Sequence, residues 1–363
     1  MMHKTHLYDA HVEAGARMVD FVGWNMPINY GSQMDEHKAV RTDAGMFDVS
    51  HMTVVDIRGP QARDFLSYLL ANDVARLQET GRALYSCMLN ESGGVIDDLI
   101  AYYMDDHWYR LVVNAATRDK GLAWLAKNGM AFSISLTEHF ELAMIAVQGP
   151  NARAKVHSLL PKEVVEDIAT MKSFSAVLCG GYFIARTGYT GEDGYEVLLP
   201  AEEALEFWSR LIEAGVKPCG LAARDTLRLE AGMHLYGQDM DEDVTPLESG
   251  LAWTVAMKDD RCFIGRDALA QQLEHGVERR LAGILLEGRG VLRPGYRVVT
   301  RSGDGQTTSG TFSPTLERAI ALARVPADAS GSCEVEIRGK LFPARLVIPP
   351  FARHGAICEG ILD

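Results

Sequence analysis

The chain has 363 residues, 47% of them hydrophobic and 23% charged, which is the composition of a globular protein of two or three domains. Its formal net charge of −13 at pH 7 argues against a general nucleic-acid-binding surface. An anionic ligand would therefore have to be held by a few individual Arg or Lys side chains.

The beginning of the chain, MMHKTHLYDAH, has the features of neither a signal peptide nor an Arg-rich transit peptide. No apolar run approaches the roughly 20 residues of a membrane-spanning helix. We therefore expect a cytoplasmic protein, or a mitochondrial matrix protein if a transit peptide was removed. The six cysteines are widely scattered, without CxxC or Cys/His zinc spacing, so we expect neither a disulfide framework nor a zinc site.

Two segments of the first half share one pattern. MTVVDIRGPQARDFLSYLL (52–70) and LAMIAVQGPNARAKVHSLL (142–160) both predict a strand, a Gly-Pro joint and a helix, with Pro at the first helical position. One interpretation is a pseudo-repeat of two related α+β units. The other is that Gly-Pro is simply a common joint between strand and helix, and both interpretations stay open.

A predicted hairpin between these segments contains two aspartates in an apolar strand. ALYSCML (83–89) and VIDDLIAYYM (95–104) flank a Gly-rich turn, and WYRLVVN (108–114) continues the sheet. A lone buried carboxylate is destabilising unless it is paired or hydrogen-bonded. The presence of Asp97 and Asp98 in this strand therefore requires an explanation. Because adjacent strand residues point to opposite faces, the two carboxyl groups would have different surroundings.

The segment RTGYTGEDGYEVLLP (186–200) predicts a glycine-rich loop followed by a strand, and such loops let the backbone approach a ligand closely. Glu192 and Asp193 suit a solvated turn. Glu196 differs, because strand alternation groups it with Leu198 on the inner face. A carboxylate there requires a cationic or N–H-rich partner.

Two helices follow, AEEALEFWSRLIEAG (201–215) and GLAARDTLRLEAG (220–232). Arg224 and Arg228 of the second helix lie one turn apart on one face. They either form surface salt bridges, or at least one guanidinium is buried against a carboxylate or an anionic ligand. From about residue 279 onward only short strands and turns are predicted, which indicates an all-β C-terminal domain of roughly 80 residues.

Several common catalytic motifs are absent from the sequence. It has no G-x-G-x-x-G opening a helix after a strand, no Walker loop and no HExxH. Ser50 and His51 would suggest a nucleophile and its base. Adjacent strand residues face opposite ways, however, so this pairing is disfavoured.

The combination of six segments resembles the T-protein of the glycine cleavage system, a tetrahydrofolate-dependent aminomethyltransferase. The segments are MVDFVGWNMPINY, GMFDVSHM, GGVIDDLI, RTGYTGEDGYE, GLAARDTLRLEAGMHLYGQDMDE and SGTFSPTLERAIALA. The resemblance runs from residue 5 to about residue 353, nearly the whole chain.

The resemblance implies an α+β, multi-domain fold in a ring-like arrangement around a central folate site. Two interleaved α+β domains with ferredoxin-like elements would comprise 1–50 with 140–230 and 51–139 with 231–278. Residues 279–363 would form an all-β barrel or jelly-roll-like domain.

The implied reaction moves the methylene of an aminomethyl group from the lipoyl arm of H-protein to tetrahydrofolate. Its products are 5,10-methylenetetrahydrofolate, ammonia and the dihydrolipoyl H-protein. Tetrahydrofolate would be the one-carbon acceptor, and neither a metal nor pyridoxal phosphate is expected on this chain. H-protein would be a transient partner, and neither nucleic acid nor membrane is expected to bind.

By resemblance the catalytic residue is Asp98, beside the folate nitrogens that receive the methylene. It would orient the nucleophilic nitrogen, stabilise an iminium-like carbon or relay a proton, and we favour electrostatics and positioning. The residues implied in folate binding are Tyr85, Val112, Asn114, Tyr189, Glu196, Arg224, Tyr236, Trp253 and Arg353.

Within this set, Glu196 would hold the pterin edge and Arg224 would orient that carboxylate. Arg353 matches a C-terminal arginine near the pocket. Tyr236 and Trp253 are either pocket walls or core-packing residues. Asp97, on the face opposite Asp98, is expected to be structural.

The register of the hairpin decides whether Tyr85 can meet Asp98. If the numbers of paired residues sum to about 183, the two side chains share a face; a sum of about 184 places Tyr85 on the Asp97 side. We predict the first register.

One departure from the family pattern is the short stretch RSGDGQTT (301–308), which predicts a truncated edge strand in the C-terminal domain. Three rival functions also stay open. They are a folate-dependent demethylase, a folate-binding protein that maintains iron–sulfur clusters, and an inactive scaffold that docks H-protein. The second rival carries a Lys-Gly-Cys segment where this chain has MHLYGQDMD.

Overall fold

A computed structural model describes residues 2–258 and 260–362. The helices are α1 (Tyr8–Glu13), α2 (Gln33–Thr42), α3 (Ala62–Leu69), α4 (Arg118–Gly129), α5 (Ala152–His157), α6 (Lys162–Ala169), α7 (Ala204–Glu213), α8 (Leu221–Glu230) and α9 (Arg266–His275). Short 3-10 helices lie at Val74–Arg76, Ala201–Glu203 and Ala252–Thr254. Among the described residues, no helix is both long and apolar enough to span a bilayer.

The strands that precede the C-terminal region are β1 (Arg17–Phe21), β2 (Trp24–Asn29), β3 (Gly45–Asp48), β4 (Thr53–Arg58), β5 (Ala83–Leu89), β6 (Val95–Asp105), β7 (Trp108–Val113), β8 (Ser135–Glu138), β9 (Leu142–Gln148), β10 (Ala176–Cys179), β11 (Tyr182–Ala185), β12 (Gly194–Pro200) and β13 (Lys217–Pro218). The C-terminal strands are β14 (Arg279–Leu286), β15 (Arg297–Thr300), β16 (Gly303–Ser313), β17 (Arg318–Pro326), β18 (Ser332–Ile337), β19 (Lys340–Val347), β20 (Ala352–Arg353) and β21 (Ala356–Ile357).

Two sheets form the body that precedes the barrel. One has five strands in the order β5-β6-β7-β4-β8, and the other has six in the order β10-β11-β12-β9-β3-β13. Residues of both sheets, among them Val54, Val112, Phe47 and Leu198, share one buried cluster, so the sheets pack face to face.

Helices cover the outer face of each sheet. Phe65 and Leu69 of α3 pack into the cluster behind the five-stranded sheet, while Val156 of α5 and Trp208 of α7 pack behind the six-stranded sheet. Each sheet is therefore apolar on both faces. This double burial explains why β6 has an almost continuous apolar sequence rather than a polar alternation.

The hairpin of β5 and β6 has the predicted relation between Tyr85 and Asp98. Tyr85 pairs with Ile100 and Cys87 with Asp98, so paired numbers sum to 185. The sum of 183 was wrong by two. A shift of two keeps every side chain on its face, and the prediction that Tyr85 and Asp98 share a face is confirmed.

Both Gly-Pro segments fold as a strand followed by a helix, β4 with α3 and β9 with α5. The predicted position of the prolines was wrong, because the helices begin at Ala62 and Ala152, two residues after each proline. The preceding glycines, Gly59 and Gly149, have φ of 142° and 134°, so the joint first makes a turn that only glycine adopts readily.

The C-terminal strands form a closed barrel in the order β14-β17-β16-β15-β18-β19. The prediction of a truncated edge strand is therefore wrong. Residues 301 and 302 form a tight turn in which Thr300 pairs with Gly303, and β16 runs on to Ser313. Closure removes edge strands altogether, so the short segment leaves none exposed.

Helix α8 links the barrel to the rest of the molecule through a buried carboxylate. Glu230 accepts hydrogen bonds from Arg41 Nη2 (2.9 Å), Ser313 Oγ (2.5 Å) and Thr315 Oγ1 (2.7 Å). Burial alone would raise the pKa of Glu230, but His37 and Arg41 outweigh it and lower the pKa to about 2. The predicted fold class, α+β and multi-domain with a C-terminal barrel, is confirmed.

Candidate active site

The centre of the candidate site is Asp98, on the face of β6 that is turned toward the six-stranded sheet. The Tyr85 hydroxyl donates to Asp98 Oδ2 at 2.6 Å, and Asn114 Nδ2 donates to Asp98 Oδ1 at 2.8 Å. The side chain keeps some exposed surface although it lies deep among protein atoms. Each carboxylate oxygen is thus held by a donor, which fixes the orientation of the group.

Asp97 is fully buried and serves the backbone of the neighbouring strand. Its Oδ1 accepts from Asn114 Nδ2 at 2.8 Å and its Oδ2 accepts from the Asn114 backbone N–H at 3.3 Å. Burial raises the pKa of both aspartates, and the charge of Asp98 raises the pKa of Asp97 further. One asparagine therefore ties the structural carboxyl to the candidate catalytic one.

Glu196 lies on the facing sheet, on the inner face as the alternation predicted. It is 6% exposed and accepts a hydrogen bond from Thr187 Oγ1 at 2.6 Å. Burial raises the pKa of Glu196, while Thr187 and the charge of Arg224 oppose that rise. The two inner faces thus bring two carboxyl groups, Asp98 and Glu196, to the space between the sheets.

Arg224 is the cation that faces this space. Its guanidinium carbon lies 4.6 Å from the centre of the Tyr189 ring, and its buried Nη1 has no hydrogen-bond partner among the described residues. Burial lowers the pKa of Arg224, and the charge of Glu196 opposes this. The charges of Arg224 and Glu196 therefore stabilise each other, and the Arg224 guanidinium keeps an unused donor at Nη1.

The neighbouring Arg228 settles the alternatives for the two arginines. Arg228 is 1% exposed. Its guanidinium donates to Asp239 Oδ2 at 2.8 Å, Asp225 Oδ1 at 2.9 Å and Ser309 Oγ at 3.0 Å. The alternative that this arginine forms surface salt bridges is therefore wrong. Arg228 is a buried structural cation, which leaves Arg224 as the one with spare donor capacity.

Two aromatic residues flank the hairpin side of the site. Trp253 stacks on Tyr85, with ring centres 5.7 Å apart and planes inclined by 22°, and it is 65% exposed. Core packing is therefore wrong for Trp253. Tyr236 is partly buried against a core cluster, donates from its hydroxyl to the Val95 carbonyl at 3.0 Å and receives a hydrogen bond from Lys120.

The remaining predicted residues lie at the walls and the rim. Val112 is 6% exposed and pairs with Ile100 on the inner face of the five-stranded sheet. Tyr189 donates from its hydroxyl to the backbone carbonyl of His234. Arg353 is exposed, donates to the Ala231 carbonyl at 3.0 Å and lies beside the glycine-rich loop rather than against Asp98.

A separate cavity of about 140 Å³ lies between the same sheets, at the end remote from Asp98. It is lined by Arg110 and Phe183, among others, and shares no residue with the predicted site. The guanidinium of Arg110 already pairs with Asp56 at 2.8 Å, so its charge is neutralised. The chemistry therefore points to the Asp98 region.

Two family models match this chain. The first, described as the GCVT N-terminal domain, matches residues 7–259, and the second, the glycine cleavage T-protein C-terminal barrel domain, matches residues 279–352. The chain belongs to the glycine cleavage T-protein family.

Relatives of this T-protein family member agree over the full length. An aminomethyltransferase of Nitrosococcus oceani is 57% identical over 355 residues, covering 98% of this chain and 96% of that protein. One of Xanthomonas axonopodis pv. citri is 55% identical and covers 100% of both. The crystal structure of glycine cleavage system aminomethyltransferase T from Bartonella henselae has a TM-score of 0.91 at 34% identity, covering 99% of this chain and 100% of that one.

These comparisons confirm the predicted family and the predicted enzyme class, aminomethyltransferase. They favour neither the demethylase nor the iron–sulfur maintenance protein. The roles of the individual side chains stay predictions.

Sequence reasoning did not point to two buried histidines that the structure singles out by their unpartnered ring nitrogens. His51 Nδ1 and His234 Nε2 are buried and have no hydrogen-bond partner among the described residues. The expectation that Ser50 does not serve His51 is confirmed, since Ser50 Oγ accepts from the Met144 backbone N–H at 2.9 Å. The only signal for either histidine was its place in a segment that carries the family resemblance, GMFDVSHM for His51 and GLAARDTLRLEAGMHLYGQDMDE for His234.

Proposed function

We propose that this T-protein family member transfers the methylene of an aminomethyl group, carried on the lipoyl arm of H-protein, to tetrahydrofolate. The observation that supports this most directly is the pair of carboxyl groups on facing sheets, Asp98 and Glu196, together with the unused donor of Arg224, whose charge opposes the raised pKa of Glu196. Ammonia and dihydrolipoyl H-protein would leave, and 5,10-methylenetetrahydrofolate would form.

The residues fit a reduced pterin by chemistry. The pterin edge offers N–H donors, which suit the carboxylate of Glu196, and it offers a carbonyl acceptor, which suits Arg224. Tyr85, Trp253, Tyr189 and Val112 provide aromatic and aliphatic surfaces for the ring faces and the benzoyl group.

The outer residues of the predicted set would serve the rest of the folate. Asn114, which follows β7, holds Asp98 directly, and Tyr236, in the segment after α8, bonds to the backbone of β6 at Val95. Arg353, exposed at the rim, suits the anionic glutamate tail, since an exposed guanidinium pairs with carboxylates without a burial cost.

Asp98 would act by electrostatics and positioning. Hydrogen bonds from Tyr85 and Asn114 hold both of its oxygens, so the carboxylate is preorganised toward a nitrogen nucleophile and a cationic methylene carbon. Its surroundings are largely shielded from water, which strengthens the attraction between its charge and a developing positive charge.

We further propose the domain division given above, which the two sheets and the barrel support. H-protein would bind transiently, bringing its arm to the Asp98 side. A cytoplasmic location is proposed because the matched relatives are bacterial.

The decisive experiment measures ammonia release from aminomethyl-loaded H-protein, with and without tetrahydrofolate. We expect Asp98→Asn to fold and bind tetrahydrofolate while its turnover falls by roughly 100-fold or more. Asp304→Asn, which changes an exposed barrel carboxylate in the same way, is the matched control and should turn over normally. Unchanged turnover in Asp98→Asn would remove this residue from the mechanism.

A second measurement tests the folate assignment. Glu196→Gln and Arg224→Ala should each weaken tetrahydrofolate binding, measured by titration calorimetry. Wild-type affinity in both variants would contradict the proposed pocket. Binding of tetrahydrofolate by the wild type without any turnover would instead support the scaffold hypothesis.

A further inference from the structure

His51 lies on the short connection between the two facing sheets. Residues 49–52 join β3, in the six-stranded sheet, to β4, in the five-stranded sheet. The first residue of β4, Thr53, pairs with Val113, and Asn114 follows directly on β7. The connection therefore crosses between the sheets at the same end at which Asn114 holds Asp98.

Buried hydrogen bonds fix this connection. Asp48 Oδ1 accepts from the Ser50 backbone N–H at 2.9 Å, and Asp48 Oδ2 lies 2.9 Å from His11 Nε2. The opposite ring nitrogen of His11 lies 2.8 Å from the Tyr30 hydroxyl. A chain of three buried or half-buried side chains thus holds the backbone before His51, so its ring has a defined position.

The His51 ring is 4% exposed. The Phe21 ring packs against it in a T-shaped pair, with ring centres 5.6 Å apart and planes at 89°. Its buried Nδ1 has no hydrogen-bond partner among the described residues, and the same holds for Nη1 of Arg224. Burial and the charge of Arg224 lower the pKa of His51 to about 4, so the imidazole is neutral near pH 7.

Buried polar groups of folded proteins are nearly always satisfied, and each exception calls for an explanation. Here one exception is on His51, between the sheets, and another is on Arg224, whose charge contributes to the lowered pKa of His51. A ligand acceptor that reaches both donors explains the two together. Packing alone explains neither, because an apolar side chain would fill the same space at lower free-energy cost.

We propose that His51 is a ligand-binding residue of this site, which donates a hydrogen bond, alongside Arg224, to the carbonyl oxygen at the 4-position of the pterin. This inference rests on the proposed function. The 4-carbonyl is adjacent to the ring N–H and the 2-amino group, so a carboxylate at Glu196 and two donors at Arg224 and His51 complement the whole edge. His51 would then select oxo-pterins over their 4-amino analogues, whose 4-position donates instead of accepting.

The test compares the binding of tetrahydrofolate and of its 4-amino-4-deoxy analogue, by titration calorimetry, to the full-length wild type, His51→Phe and His51→Gln. His51→Phe keeps a ring against Phe21 but removes the donor. We expect it to weaken tetrahydrofolate binding roughly tenfold, equivalent to about 1.4 kcal/mol, and to change binding of the analogue little. His51→Gln keeps a donor and should recover most of the affinity for tetrahydrofolate.

His157→Phe is the matched control, since that half-buried histidine lies 2.9 Å from the Tyr195 hydroxyl on the far face of the six-stranded sheet. It should change neither affinity. Equal affinity of His51→Phe and wild type for tetrahydrofolate would overturn the inference, and so would an equal loss for both ligands, which indicates a steric effect. If the wild type itself does not bind tetrahydrofolate, the proposed function fails, and this inference fails with it.

Discussion

Replacing Tyr85 with Phe tests how much the hairpin contributes to the reactivity of Asp98. The substitution deletes the hydroxyl that donates to Asp98 Oδ2 at 2.6 Å but keeps the ring that stacks on Trp253. A hydrogen bond to a charged group contributes about 1.5–3 kcal/mol. If Asp98 uses this bond in the transition state, turnover should fall by roughly 10- to 150-fold.

The turnover and the stability of Tyr85→Phe should both depend on pH in a direction that can be measured. Burial raises the pKa of Asp98, and the Tyr85 hydroxyl opposes that rise, so its removal should raise the pKa further. The acid limb of the pH–rate profile should therefore move to higher pH. A carboxyl with a raised folded-state pKa stabilises the fold below its unfolded pKa and loses that contribution as pH rises through the folded one. Tyr85→Phe should consequently lose more stability, relative to wild type, at pH 8 than at pH 5.

Two assays decide the matter: ammonia release as a function of pH, and urea unfolding at the two pH values. Tyr103→Phe is a matched control. Tyr103 lies on β6, the strand of Asp98, but outside the site, and its hydroxyl donates to Asp106 Oδ1 at 3.0 Å. An acid limb that stays in place, with turnover within about twofold of wild type, would refute a role for this hydrogen bond.

Two predictions concern the framework. Glu230→Gln should destabilise the protein by about 1.5–3 kcal/mol in urea unfolding at pH 7, because the buried Arg41 loses one of its two carboxylate partners and keeps only Glu192. Since the pKa of Glu230 is lowered to about 2, wild type should lose this advantage as pH falls from about 4.5 toward 2, and a pH-independent difference would contradict it. Gly94→Ala should destabilise by about 1–3 kcal/mol, because its Cβ would lie 1.7 Å from the Glu242 carbonyl oxygen. Gly288→Ala, with open space around the Cβ, is its control, and equal midpoints for the two variants would count against the packing argument.

Sequence patterns predicted the bounds of individual strands and helices well, because these depend on interactions between residues close in the sequence. β5 was predicted at 83–89 and is Ala83–Leu89, and α8 was predicted within 220–232 and is Leu221–Glu230. Alternation and helical spacing act over a few residues, so a single segment contains the whole signal. The prolines were misplaced because the turn at each Gly-Pro joint delays the helix, an effect of backbone geometry that composition does not reveal.

Long-range contacts limited the prediction of the site. The sequence predicted that Tyr85 and Asp98 share a face, because side chains alternate between faces along both strands of one hairpin. The predicted register was off by two residues, which leaves every side chain on the same face. The exposure of Trp253 and the buried partners of Arg228 depend on segments far apart in the sequence, Ser309 of the barrel among them. No local pattern encodes such encounters.

The sequence by itself determined which residue types the chain brings to the folate chemistry, through motifs whose combined resemblance covers nearly all of it, and the order of its strands and helices. Only the tertiary structure decided which of two neighbouring arginines has an unused donor, and that a histidine between the sheets shares this state. The physical reason is that a side chain's hydrogen bonds are completed by whatever the fold places beside it, and those neighbours come from both sheets and from the barrel.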